Sequence, residues 1–182
     1  MAPEELQSWL GQIIGPFEIQ EYGGYPIATA TTTPICVSFG FSEVDTGVIM
    51  ERPAYKDPGS PDTDVRCELV CAAEGPSPER RAMAVAGAWN SLAALGAPAQ
   101  PGVLLADLVD DPELNVHHGL LREPQIFERG TPHFKEPGRM TLLLELVLLT
   151  DDEFEIVTEQ GFEVFERRVR RRQAELGDWN RE

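Results

Sequence analysis

The sequence predicts an α+β fold: a single domain with a mostly antiparallel, mixed sheet flanked by helices. Three observations predict it. The chain has 182 residues, 42% of them hydrophobic, enough to pack one core of ordinary size. Segments with extended and helical patterning follow one another as helix, strands, helix, strands, helix. No internal repeat occurs, and no strand–helix–strand period holds along the whole chain, so an all-parallel sheet is not indicated.

Glu4 to Ile14 begins the order as an amphipathic helix, with Leu6, Trp9, Leu10 and Ile13 on one side. Pro3 precedes it where a missing amide costs nothing, and Gly15-Pro16 ends it. Pro26 to Phe41 is rich in Thr, Ile, Val and Phe and reads as extended, with Pro34 marking an edge or break; Glu43 to Met50 continues in that manner. Pro53 to Asp64, full of Pro and Asp, reads as a surface loop.

Val65 to Ala73 is the next strand. Val65, Cys67, Leu69 and Cys71 share one side and Arg66 and Glu68 the other, the alternation of a sheet with one covered face. Ser77-Pro78-Glu79 opens a helix: Ser caps, Pro takes the first helical position and an acid lies in the first turn. Met83, Ala86, Trp89 or Asn90, and Ala93 recur at helical spacing, the alanine face of Ala82, Ala86 and Ala93 allows close approach to a sheet, and Gly96 is a natural C-terminal stop. Val103 to Leu108 reads as a short strand, whereas Leu120 to Phe127 fits no single pattern.

Arg139 to Leu149 carries Leu on both sides and so reads as a central, buried strand. Thr150-Asp151-Asp152-Glu153 is a capping box, the Thr hydroxyl taking the Glu153 amide and the Glu side chain returning to the Thr amide. Phe154, Val157, Gly161, Phe165 and Val169 form the inward stripe of one long final helix that Gly177 ends. Gly161 costs it about 1 kcal/mol relative to Ala, which predicts close packing or a bend there.

Charge and composition narrow the function. Asp and Glu number 31 against 15 Lys and Arg, a net charge of −16. Such a chain repels phosphate backbones over a Debye length of about 8 Å, so nucleic acid is not an expected partner. The one basic run, Arg167, Arg168, Arg170, Arg171 and Arg172, reads as a complement to a helix C-terminus, paired with acids upstream. The longest apolar run, Leu142 to Leu149, is far shorter than the roughly 20 residues that span a bilayer, and MAPEELQSWL lacks the lysines of a secretion signal. Cys36, Cys67 and Cys71 read as buried thiols: on a strand Cys67 and Cys71 lie about 13 Å apart, too far to bridge or share a metal. A cytoplasmic location follows, and a codon bias toward Arg over Lys suggests a bacterium.

Motifs that carry chemistry are missing. There is no HExxH, no G-x-S-x-G elbow, no Walker loop and no dinucleotide fingerprint. His117-His118 is the candidate for an unrecognised hydrolase, although on a strand the two rings face opposite sides; His133 falls in a Pro/Gly-rich loop. No metal or cofactor is expected. The remaining candidates are Asp107, Asp110, Asp111 and Glu113, a negative surface that would steer a basic protein partner.

From Phe17 to about Arg172 the chain resembles the Suppressor of fused-like family. The segment MTLLLELVLLTDDEFEIVTEQGFEVFERRV is similar to that family's closing strand and helix. VRCELVCAAEG, followed by a helix holding Ala88-Trp89-Asn90, is similar to an earlier strand and helix, and PICVSFGFSE with VIMERPAY to its first hairpin. NVHHGLLREPQIFERGTPHF follows the family's turn before the last strand only loosely, so that turn's part in partner contact is not carried over. The resemblance implies one domain over 1–182, with its core at about 17–172, that binds proteins and performs no chemistry. The animal member grips a transcription-factor peptide, partly as an added strand. Bacterial relatives resemble antidotes that cover a toxin, a role that implies a basic toxin domain as partner here.

Overall fold

A computed structural model of the chain describes residues 1–45, 47–50 and 62–181; most of the loop read at Pro53 to Asp64 lies outside them. In chain order the elements are α1 (Pro3–Ile14), β1 (Phe17–Tyr22), β2 (Tyr25–Ala30), β3 (Ile35–Ser38), a 3-10 turn (Phe41–Glu43) and β4 (Ile49–Met50). They continue with β5 (Thr63–Ala72), α2 (Pro78–Leu95), β6 (Leu104–Leu105), β7 (His118–Arg122), β8 (His133–Glu136), β9 (Arg139–Leu149), α3 (Asp151–Gln160) and α4 (Phe162–Arg172).

All the strands join one mixed sheet, and β9 is its axis, as the double-sided leucine pattern predicts. Along one edge β9 runs parallel to β5, from Asp64 opposite Arg139 to Val70 opposite Glu145. Along its other edge it is antiparallel to β8 at its start and to β7 at its end. Beyond β5 lie β3, β2 and β1, and beyond β7 lies β6. The β5–β9 junction is parallel and every other pairing antiparallel. A parallel junction needs a long crossover, and the chain supplies one: α2 and three strands intervene between β5 and β9.

Helix α2 covers one face. Ala82, Val85, Ala86, Trp89 and Leu92 join Cys36, Cys67, Leu69, Cys71, Leu144 and Leu146 in the largest core cluster. Small alanines let the helix axis approach the strands closely. The other face carries two separate clusters. Leu6, Trp9 and Leu10 of α1 pack on Ala28, Val37, Val70 and Leu143, while Val157 and Phe165 pack on Leu120, Val147 and Leu149. Burying each such leucine contributes about 1.5–3 kcal/mol.

Several expectations are corrected. β5 has both faces covered, with Arg66 and Glu68 buried. In α2 the inward stripe runs through Val85, Trp89 and Leu92; Met83 and Ala93 are exposed. The extended stretch at 26–41 is two strands that turn at Thr31–Pro34, and the region after Glu43 forms a strand only at Ile49–Met50. Val103 to Leu108 shortens to Leu104–Leu105, the ambiguous segment is strand as far as Arg122, and His133 opens β8 instead of lying in a loop. The final helix is two. Gly161 sits between them at φ 88° with open space where a Cβ would point, so it bends the chain and makes no close contact. α4 stops at Gln173, before Gly177. Among the described residues no helix is long and apolar enough to cross a membrane.

Candidate functional site

The acidic segment from Asp107 to Glu113 crosses one end of the α2-covered face, and two glycines hold it there. Leu108 sits between Gly87 of α2 and Gly119 of β7; a Cβ on Gly119 would lie 2.7 Å from Leu108 Cδ2, and one on Gly87 3.3 Å from Leu108 Cδ1. A side chain at Gly119 would have to displace Leu108, whereas one at Gly87 would only crowd it. Asp107 adopts a left-handed φ of 50°, which aspartate tolerates better than most residues. Its amide donates to His118 Nδ1 at 3.0 Å. Nδ1 is therefore the acceptor of a neutral ring, the proton lies on Nε2, and Nε2 donates to Asp151 Oδ1 at 3.1 Å. The ring stacks on Phe154, centroids 4.1 Å apart. His118 thus pins the loop, β7 and the start of α3 together.

The four candidate acids are not equivalent. Asp111 and Glu113 both pair with Arg80 of α2, Asp111 at 2.9 Å. Asp107 points to solvent with one oxygen 3.7 Å from His118 Nδ1. Asp110 is exposed and makes no ion pair among the described residues. Between this loop and α2 lies a groove of about 290 Å³, walled by Met83, Ala84, Leu108, Val109, Leu114 and Trp179, with Glu79, Asp110 and the Arg80–Asp111 pair also lining it. Met83 is 54% exposed, a large apolar side chain with no place in the core.

The two histidines make separate contacts with the loop. His117 and His118 stand edge to face with centroids 6.5 Å apart, and His117 Nδ1 lies 3.4 Å from the Val109 carbonyl. Both rings are engaged by the loop they hold. Among the described residues no group of three His, Cys, Asp or Glu could hold a metal ion. The cysteines are free and buried. Burial pushes the Cys36, Cys67 and Cys71 thiols up, away from the nucleophilic thiolate. Cys71 faces Cys36 across β3 and β5, a pairing invisible in the Cys67–Cys71 spacing. Of the basic run, Arg168 donates to Gln160 and Arg170 to the Glu166 carbonyl; among the described residues the expected ion pairs with upstream acids do not form.

Two buried polar sites had no sequence signal beyond a charge inside a hydrophobic strand. Glu68 accepts from the Ser38 hydroxyl at 2.5 Å and from the amides of Gly40, Phe41 and Ser42, which anchors the 3-10 turn and seats Phe41 against Trp89. Burial pushes its carboxyl up and those donors pull it back. On β7, Arg122 makes a two-pronged pair with Glu145 at 3.1 Å and reaches Glu166 of α4 at 3.4 Å. Gln125 closes the network, its amide on Glu145 and its side chain on Glu166.

Neither a protein-family model nor a curated protein sequence matches the chain. Solved structures do. A candidate homologue of SUFU (suppressor of fused protein) from Neisseria gonorrhoeae aligns over 99% of this chain and 94% of its own, with a TM-score of 0.62 at 13% identity. The structure of a Sufu–Fu complex aligns over 97% of this chain and 87% of its own, with a TM-score of 0.59 at 15% identity.

This chain has the Suppressor of fused-like fold. The likeness runs over nearly the whole length, so it includes α1, which precedes the stretch the sequence resemblance covered. Within this fold the acidic loop joins β6 to β7, and a C-terminal segment runs back over the α2 face to bury Trp179 beside it. Arg181 fastens that segment, donating to Glu153 at 2.6 Å and to the Leu148 carbonyl.

Proposed function

We propose that this chain is a non-enzymatic, cytoplasmic protein-binding domain that takes a basic partner on the loop from Asp107 to Glu113 and the groove beside it. The observation that carries the reading is the pairing of an unneutralised acid, Asp110, with an exposed apolar wall at Met83. Interfaces join an apolar contact to a charged rim in this way, and the rim charges speed encounter. Two further facts support it: one of the similar structures is a complex with another protein, and the net charge of −16 suits a cationic surface.

The most specific form of this function is immunity, the domain covering a basic toxin domain in a bacterium. Co-expression with the protein encoded beside it in its genome tests that form. A toxic neighbour, neutralised by the wild type and less well by Asp110→Lys with Met83→Asp, is the expected result. A neighbour that is harmless and does not bind removes the immunity role. Ester or phosphate hydrolysis abolished by His118→Ala would instead establish the enzymatic alternative at His117/His118.

A further inference from the structure

A second groove of about 470 Å³ lies on the opposite side of the C-terminal segment, and Trp179 lines both grooves. It opens over the second sheet face in the gap between the α1 cluster and the α3–α4 cluster. Its walls are apolar: Ile35 at the start of β3, the exposed Ile126, Val169 of α4 and Leu176. Its charge is lopsided. Glu74 and Glu175 stand exposed at the rim and make no ion pair among the described residues. At the base, the Arg122 guanidinium is already engaged by Glu145, so it is not free to take an anion.

We infer that this groove receives an extended segment of a protein partner in which an apolar side chain alternates with arginine or lysine. The apolar side chain enters between Ile126, Val169 and Leu176, and the cation meets Glu74 and Glu175. An anionic segment is repelled by the same charges. This inference rests on the protein-binding reading above and extends its surface: Glu175 and Glu74 continue through Glu79 to Asp110 around the segment that holds Trp179.

The test uses the full chain, labelled with ¹⁵N, and three synthetic ten-residue peptides of alternating Val/Arg, Ser/Arg and Val/Glu. The expected result is that Val/Arg shifts the amide signals of Ile126, Val169 and Leu176, with affinity about tenfold above Ser/Arg and no binding of Val/Glu. The Glu74→Lys, Glu175→Lys variant, altered only at exposed positions, should keep its circular dichroism and bind Val/Arg about tenfold more weakly. Shifts confined to Met83 and the loop at 107–113 would overturn this second site and leave the first standing. Equal binding of Val/Arg and Ser/Arg at Ile126 would overturn the apolar pocket, and no shift at either groove would count against both sites.

Discussion

On the face that α2 covers, Cys67, Leu69, Leu144, Leu146 and Leu148 meet alanines, Trp89 and Leu92 in one unbroken apolar layer. On the opposite face the same two strands present Arg66, Glu68 and Glu145, and β7 adds Arg122, all buried. The first face is held mainly by apolar burial, which is non-directional and tolerates small shifts, with directed bonds from Arg80 and Arg81 only at the start of α2. The second is held at its seam by directed hydrogen bonds, where a charge without its partner is costly. The difference locates specificity: the apolar face supplies most of the stabilisation, and the polar seam sets where α4 and the turn after β3 must sit.

The largest expected effect falls on the seam. Arg122→Met leaves Glu145 and Glu166 buried without their guanidinium and should cost about 3–5 kcal/mol in urea denaturation. Adding Glu145→Leu and Glu166→Leu together should recover part of that loss; failure to recover any would mean that the seam stabilises the fold as well as orienting it. On the apolar face Leu144→Ala should cost about 3 kcal/mol, the transfer term plus a cavity, with no partner change able to restore it. Glu68→Gln sharpens the contrast in another way. Its amide group would turn a donor toward the donors that now converge on the carboxylate, so a loss of about 2 kcal/mol is expected, with altered near-ultraviolet dichroism from Trp89. Gly119→Ala should have the smallest effect, about 1–2 kcal/mol, by pushing Leu108 from its seat. Amide exchange should then quicken at Val109, whose amide now bonds the His117 carbonyl, and stay unchanged in α1.

Local signals were legible because their partners are close in sequence. Ser77 caps α2 through the Arg80 amide, and Thr150 and Glu153 exchange both bonds of their capping box. The leucines of β9 place it at the centre of the sheet, since only a strand covered on both sides needs apolar residues in both registers. Alternation in β5 misled for a related reason. A polar register normally faces water, but here Glu68 finds its donors about thirty residues upstream, at Ser38 and the turn that follows.

The candidate site was legible in part. The acidic run stands out by composition, yet nothing local distinguishes Asp110, which stays unpaired, from Asp111 and Glu113, which Arg80 claims from 31 and 33 residues away. Met83 reads as a core residue from its spacing and lines the groove instead, because α2 is rotated so that Val85 and Trp89 meet the sheet.

By itself the sequence determined the helix starts, the double-sided central strand, the α+β class and the sign of the surface charge, all properties of neighbouring residues or of simple sums. Tertiary structure alone decided that β7 and β8 share one edge of β9, that Arg122 meets Glu145 and Glu166 across 23 and 44 residues, and which acids remain free. Periodicity tells which side chains share a face. What covers that face depends on chain closure over long separations, where a buried charge is tolerable only once its distant partner has arrived.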